Sequence, residues 1–329
     1  MSPTAGGPSS LSRYVRRRLA VLVPTLLGMS FLVFAVASLT PGDPAEEYAQ
    51  RVRDRPPTVE EVQRARHELR LDRPFVVQYG AWVGHALRGD LGRSFFTRHS
   101  VAAEIRHRIP ITLQLAVPAA LLSLVIALTA GTVSAFYRNR PVDQVVRLVS
   151  LAGASMPSFW LALLLIIGFS VRLRIFPVAG RQAGLSSFVL PVVALSLPSA
   201  AVLSRFVRST LLEVLGEDYV RSARAKGAGE VVVLARHALR NSLVPVVTAF
   251  GTSLGHLLAG TVVIESIFAW PGLGTLTLDA IHHRDYPMLQ AFILFSGLVV
   301  IAVNLVVDLS YAVIDPRIRP GRRAVAGGD

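Results

Sequence analysis

The chain has 329 residues, 52% of them hydrophobic and only 17% charged, against roughly 25% charged in soluble globular proteins. Its apolar runs exclude disorder, the missing Gly-x-y period excludes collagen, and the lack of Cys excludes a disulfide scaffold. The net charge of +13 would suggest nucleic acid in a soluble chain, but here the arginines are distributed against apolar stretches. Six stretches, 19–42, 109–137, 148–171, 182–204, 241–264 and 286–307, contain no Asp, Glu, Lys or Arg. About 20 helical residues cross a bilayer core about 30 Å thick, so each is long enough. The fold class that follows is an all-α, polytopic membrane protein with six transmembrane helices.

Residues 1–12, rich in Ser, Pro and Gly, read as a disordered tail. Residues 13–42 read as the N-terminal transmembrane helix. The basic start and Ala35-Val36-Ala37 imitate a signal peptide, but an apolar run of about 20 residues exceeds the about 7–15 of an h-region, so an uncleaved anchor is expected. Pro41-Gly42-Asp43-Pro44 ends that helix, because proline restricts its predecessor and lacks an N–H.

Residues 43–108 carry twelve arginines and ten acidic residues and are nearly neutral. They read as a small helical extracytoplasmic insertion. Thr58-Val59-Glu60-Glu61 fits a capping box that opens a helix to about Leu69. Pro74 opens a second helix, with Phe75, Val76, Tyr79, Trp82, Val83, Ala86 and Leu87 recurring at three and four. That face is expected to pack on the outer ends of the transmembrane helices, with a soluble outside partner as the alternative.

Residues 109–316 read as a five-helix transmembrane core. Pro157 is expected to kink the third span, where Met156 and Trp160 face either a pathway or lipid and bundle packing. Between spans four and five, the loop 213–242 is too long to be a plain connection. Tyr219 to Lys226 suits a helix, Gly227-Ala228-Gly229 breaks it, and Glu230 to Leu239 resumes it with Val231, Leu234, Ala235, Ala238 and Leu239 on one side. The pattern is that of a DNA-binding helix-turn-helix. Held between two membrane spans it has no room for a bundle of its own, so nucleic acid is rejected as a partner. A helix pair of small residues with a glycine turn suits a cleft on a cytoplasmic protein.

Glu265 ends span five and reads either as a solvated terminus or as a gate residue. Ser266 to Leu278 is uncharged and contains Pro271, Gly272 and Gly274. It is too short to span and reads as a re-entrant or interfacial turn near the outer mouth. Glu265, Trp270, Pro271, Gly272 and Met156 are therefore the candidate outer gate or pathway residues. His282-His283 and His256 suggest a metal, but adjacent histidines seldom face one ion and Cys is absent, so no metal site is expected. Asp308 suggests a proton relay and a secondary transporter; with no second carboxylate in the spans, an ion pair or hydrogen bond is favoured. Residues 317–329 form a tail.

Arg13, Arg16, Arg17, Arg18, Arg138, Arg140, Arg147, Arg205, Arg208, the arginines of the 213–242 loop and those after 316 fall in every second connection, with Arg172 and Arg174 as a local exception. By the positive-inside rule both termini are cytoplasmic; the 43–108 segment, longer than about 60 residues, does not overturn this. The chain carries no P-loop, Gly-x-Ser-x-Gly or His-Glu-x-x-His, and its single lysine, Lys226, lacks the P-loop frame. It is not expected to be an enzyme.

Glu217-Asp218-Tyr219-Val220-Arg221-Ser222-Ala223-Arg224-Ala225-Lys226-Gly227, with Arg236-His237-Ala238-Leu239-Arg240-Asn241-Ser242-Leu243-Val244-Pro245, resembles the EAA loop of ABC importer permeases, in the peptide and nickel branch. Ala223, Gly227 and Leu239 keep the pattern's spacing, whereas His237 and Arg240 depart from it. Pro41-Gly42-Asp43-Pro44, Leu71-Asp72-Arg73-Pro74, Gly89-Asp90-Leu91-Gly92-Arg93-Ser94, Pro157-Ser158-Phe159-Trp160, Phe268-Ala269-Trp270-Pro271-Gly272-Leu273-Gly274, Arg284-Asp285-Tyr286-Pro287, Asn304-Leu305-Val306-Val307-Asp308 and Asp315-Pro316-Arg317-Ile318-Arg319 are similar to that branch in the same order.

The resemblance implies the type I ABC importer permease fold in a bacterial cytoplasmic membrane. It implies pairing with a second, related permease, two ABC ATPase subunits and an extracytoplasmic solute-binding protein, besides the lipid bilayer. No cofactor is expected on this chain, ATP and Mg belonging to the ATPases. Coupling to them would fall on Tyr219, Ala223, Arg224, Lys226, Gly227, Ala228 and Leu239. Di- or oligopeptides are the expected cargo, with a nickel chelate or glutathione-like compound as the alternative.

Overall fold

The computed structural model describes residues 23–36, 43–53 and 55–314. The tails 1–12 and 317–329, Pro41-Gly42, Asp315-Pro316-Arg317 and the side chain of Asp308 lie outside that description. The described residues are helical, with one isolated bridge between Arg93 and Ser100. Helix α1 (Val23–Val36) belongs to the first apolar run. Three short helices follow: α2 (Pro44–Arg53), α3 (Val59–Glu68) and α4 (Phe75–Ala86).

The insertion is held by local chemistry. The capping box at Thr58 forms as expected: Thr58 Oγ1 accepts from the Glu61 amide at 3.4 Å, and the Glu61 carboxylate accepts from the Thr58 amide at 2.9 Å. Asp43 accepts from the Ala45 amide at 3.0 Å, capping α2, and from Arg66 of α3 at 2.6 Å. The aromatic face of α4 packs on α1: Phe75 and Tyr79 sit edge-on to Phe31 at 5.6 and 5.4 Å, and Tyr79 donates to the Leu27 carbonyl. Val76 and Leu87, read on the same face, are instead exposed.

Five long elements form the bundle: α5 (Val101–Phe136), α6 (Pro141–Ser155) with α7 (Ser158–Leu165), α8 (Ser186–Val214), α11 (Leu239–Ile267) and α13 (Tyr286–Ile314). Among the described residues four helical stretches are long and apolar enough to cross a membrane, and α6 with α7 and its π-helical continuation to Arg172 passes only as a broken pair, bent by 104°. The bend follows from Pro157, which has no N–H and drives Met156 to φ −89°, ψ 121°. The third apolar run is thus two helices at a right angle and not one kinked span. Helix α5 has 36 residues, about 54 Å, more than a bilayer core, so the 108/109 boundary falls inside a continuous helix.

Helices α5 and α8 form the most extensive pair. Without a hydrophobic drive between helices in lipid, close packing of small residues holds them. Ala116, Ala119, Ala120, Ala194 and Ala200 are buried in or beside this seam. At Gly131 a Cβ would stand 2.7 Å from both the Ser204 carbonyl and Val207, so only glycine permits that crossing.

At the end opposite the insertion lie α9 (Asp218–Ala225) and α10 (Glu230–Val232). A π-helical turn, Val233–Ala238, joins α10 to α11, so the second half of the 213–242 loop is the start of a continuous 38-residue helical stretch rather than a separate helix. A π turn adds a residue per turn and shifts the buried face. Val233 and Ala238 are buried while Val231, expected on that face, is exposed. At the insertion end, α12 (Leu273–His282) turns back against α5 and α13, burying Leu273, Leu276 and Ala280 beside Val101, Ile105 and Met288.

Candidate functional site

Helix α9 is short, with three charged residues in eight, and Val220 anchors it with no exposed surface. Asp218 sits in its first turn, where the helix dipole favours an acid, and Arg224 sits in its last, where it favours a base. The Tyr219 hydroxyl accepts from Asn241 Nδ2 at 2.7 Å, tying α9 to the start of α11. Arg224 donates to both Glu230 oxygens at 2.8 and 3.0 Å and to the Leu215 carbonyl at 3.4 Å. The Glu230 carboxylate holds the Arg224 guanidinium's pKa above its ordinary value.

Between α9 and α10, Gly227 has φ +86°, a left-handed conformation that closes the helix, and its Cβ position opens onto free space. Lys226 is exposed, Ala223 and Ala228 are half-buried, and Leu239 packs against the buried cluster of Val207, Leu211 and Val246. The seven residues read from the sequence therefore fall on one structural unit. Six surround the α9 turn, and Leu239 roots it in the bundle. Val220, Glu230 and Asn241, which fix the unit in place, were not singled out; their signal is visible only in the partners they meet.

Next to this unit a buried ion pair joins three helices. Arg208 of α8 donates to Asp143 of α6 through Nε at 2.8 Å and Nη2 at 2.7 Å; Ser134 of α5 donates at 2.6 Å and the Asn139 amide at 2.9 Å. Asp143 has no exposed surface. Arg208 reads from the sequence as one of the orientation-setting arginines, and nothing in the sequence assigns it this partner.

Glu265, Trp270 and Gly272 lie together, sealed at the insertion end. Glu265 is fully buried, which overturns its reading as a solvated terminus. Its oxygens accept from Thr112 Oγ1 at 2.6 Å, from the Gly274 amide at 2.6 Å and from the Thr275 amide at 3.3 Å. A Cβ at Gly272 would collide with the same carboxylate. Trp270 is buried, donates to the Ile111 carbonyl at 3.1 Å, and meets Phe188 and Arg181 on its ring. Pro271 is exposed and its carbonyl accepts from Arg108 at 2.8 Å. The stretch Ser266–Leu278 is thus a packed turn that runs into α12. Met156 is not part of it and sits at the α6–α7 bend.

A junction the sequence reading passed over ties the insertion to the bundle. The Asp285 carboxylate, buried at the start of α13, accepts from the Ser94 hydroxyl and from the Phe95 amide at 3.0 Å. Nearby, His283 stacks on Phe96 at 3.7 Å, and His282 Nδ1 contacts the Leu278 carbonyl of its own helix at 2.8 Å.

The chain matches two family descriptions: "Binding-protein-dependent transport system inner membrane component" over residues 127–320, and the corresponding N-terminal component over residues 11–116. It is 42% identical over 306 residues to the glutathione transport system permease protein GsiC of Escherichia coli O6:H1, covering 93% of this chain and 98% of that protein. The proteins of that name from E. coli K12 and Shigella dysenteriae are 41% identical over the same coverage. In fold it is similar to a chain of the MetNI methionine ABC transporter in an inward facing conformation, with TM-score 0.55 and 20% identity over 64% of this chain and 96% of that one. The all-α importer permease fold expected from the sequence is therefore the fold observed. With both halves matched, the chain belongs to the binding-protein-dependent transport system inner membrane components and is a permease subunit of an ABC importer.

Proposed function

We propose that this permease forms, with a second related permease, a pathway for di- or oligopeptides handed over by an extracytoplasmic solute-binding protein. Two ABC ATPase subunits on the α9 side carry the ATP and Mg and hydrolyse the nucleotide; the chain binds no cofactor. The observation that carries this reading is the α9 unit, a projecting helix rooted in α11 through Tyr219–Asn241 and across Gly227 through Arg224–Glu230. A push on α9 reaches α11, whose far end holds Glu265 against Thr112 of α5. Closure of the ATPases would rock the bundle about this rod and switch the pathway between its two openings.

The arginine distribution supports an orientation with both termini and α9 in the cytoplasm and the insertion outside. The relatives named for glutathione transport, at 41–42% identity, favour a glutathione-like cargo as a second reading within the peptide class. Much of the choice between them rests on the binding protein. Purification from the native membrane in mild detergent, followed by mass spectrometry, is expected to recover a second permease and P-loop ATPases. Repeated recovery of the chain alone contradicts ATP coupling.

A further inference from the structure

A cavity of about 570 Å³ opens where α4 meets the insertion-side ends of α1 and α13. Its wall is aromatic, with Phe34, Tyr48, Trp82 and Phe95, and four arginines line it: Arg70, Arg73, Arg93 and Arg98. Two carboxylates share the lining, Glu68 and Asp90; Asp90 is already engaged by the Gly92 amide at 3.0 Å and by His85 at 3.5 Å. Among the described residues none of the four guanidinium groups forms an ion pair or a side-chain hydrogen bond. Positive charge is therefore left over.

Arg70 and Arg98 hold left-handed backbones, φ 57° and 61°; at Arg70 this closes the C-terminal end of α3, with the Leu71 amide donating to the Arg66 carbonyl at 2.9 Å. One further observation points to a ligand. The indole N–H of Trp82 is buried and has no acceptor among the described residues, and such a donor costs free energy until an acceptor arrives.

The surroundings identify the ligand's chemistry. Phe34 belongs to the charge-free run 19–42, and α4 reaches along α1 as far as the Leu27 carbonyl through Tyr79 at 3.0 Å. Helix α4 thus lies beside a membrane-spanning element, and its Val76 and the Leu87 at its end, 74% and 84% exposed, have no cover among the described residues. Arginines above an aromatic wall at a bilayer surface suit a phosphate joined to an acyl chain. We propose that this cavity binds an anionic phospholipid, the arginines holding the phosphate, Trp82 donating to a phosphate or ester oxygen, and an acyl chain running along Phe34. Which leaflet supplies the lipid rests on the proposed orientation; the site itself does not.

Native mass spectrometry of the intact complex tests this, with phosphatidylglycerol or phosphatidylcholine supplied after purification. One phosphatidylglycerol per copy of this chain is expected, with phosphatidylcholine retained at least tenfold less. Arg70→Asn with Arg98→Asn should cut retention at least tenfold. Because asparagine adopts left-handed φ more readily than arginine, the change removes charge without straining the fold. Arg64→Gln, on the exposed side of α3, should change nothing. Equal retention of the two lipids, or unchanged retention in the asparagine variant, overturns the proposal. Release of phosphatidylglycerol by excess glutathione or dipeptide also overturns it and assigns the cavity to a transported acid. Missing ATPase subunits in the same spectra would instead count against the coupling reading alone.

Discussion

Arg208 grips Asp143 with two parallel hydrogen bonds, 2.8 and 2.7 Å long, where the carboxylate has no exposed surface and the guanidinium side chain keeps 19%. The pair stands at the end of the bundle that carries α9, and Ser134 adds α5 to it. Removing either partner strands the other. Asp143→Ala and Arg208→Ala are each expected to destabilise by about 3–5 kcal/mol. Asp143→Leu combined with Arg208→Leu should cost less than either single change, measured by thermal unfolding in nanodiscs. Additive losses would show that the two residues do not act as a pair.

At the insertion end, Thr112 both donates to Glu265 and accepts from the Leu273 amide, at 2.6 and 2.8 Å. Thr112→Val keeps the shape and removes both bonds, leaving buried groups unsatisfied. A loss of about 1–3 kcal/mol is expected, read as a lowered melting temperature. No change would mean that the turn is held by packing around Trp270 alone.

Most of the helices were legible because charge absence over bilayer length is a coarse signal that tertiary packing does not override. The capping box at Thr58 and the break at Gly227 were legible because their chemistry is local. Pairings such as Asp143–Arg208 and Ser94–Asp285 were not, since residues 65 and 191 positions apart leave no trace in spacing. The π turn at Val233–Ala238 was equally invisible: a 3.6-residue period assigns Val231 to the buried face, and the wider turn gives that place to Val233. The α6–α7 break was half legible, as proline marked the position but not the 104° angle.

Gly131 tests the main helix crossing. Gly131→Val drives a side chain into the Ser204 carbonyl and Val207. Overpacking of this kind costs about 1–3 kcal/mol, expected here as reduced yield of folded protein and a lowered melting temperature. Gly255→Ala, whose Cβ meets nothing within 4 Å, is the control and should leave both unchanged.

The Arg224–Glu230 bridge spans the turn on which coupling is proposed to depend. Glu230→Arg should place like charges together and reduce uptake several-fold at equal membrane abundance. Arg224→Glu with Glu230→Arg should restore much of it. If the swap rescues nothing, Arg224 acts on the partner surface and not by bracing α9.

The most direct test of coupling through α9 is uptake of labelled peptide or glutathione by cells carrying Gly227→Glu, with membrane abundance measured in parallel. The left-handed turn disfavours any non-glycine residue, while the open space around it leaves the bundle undisturbed, so the protein should insert normally. Uptake is predicted to fall at least tenfold with abundance unchanged, and Gly227→Asn, which tolerates that backbone, should keep most of it. Full uptake by Gly227→Glu would contradict the assignment of α9 as the coupling element.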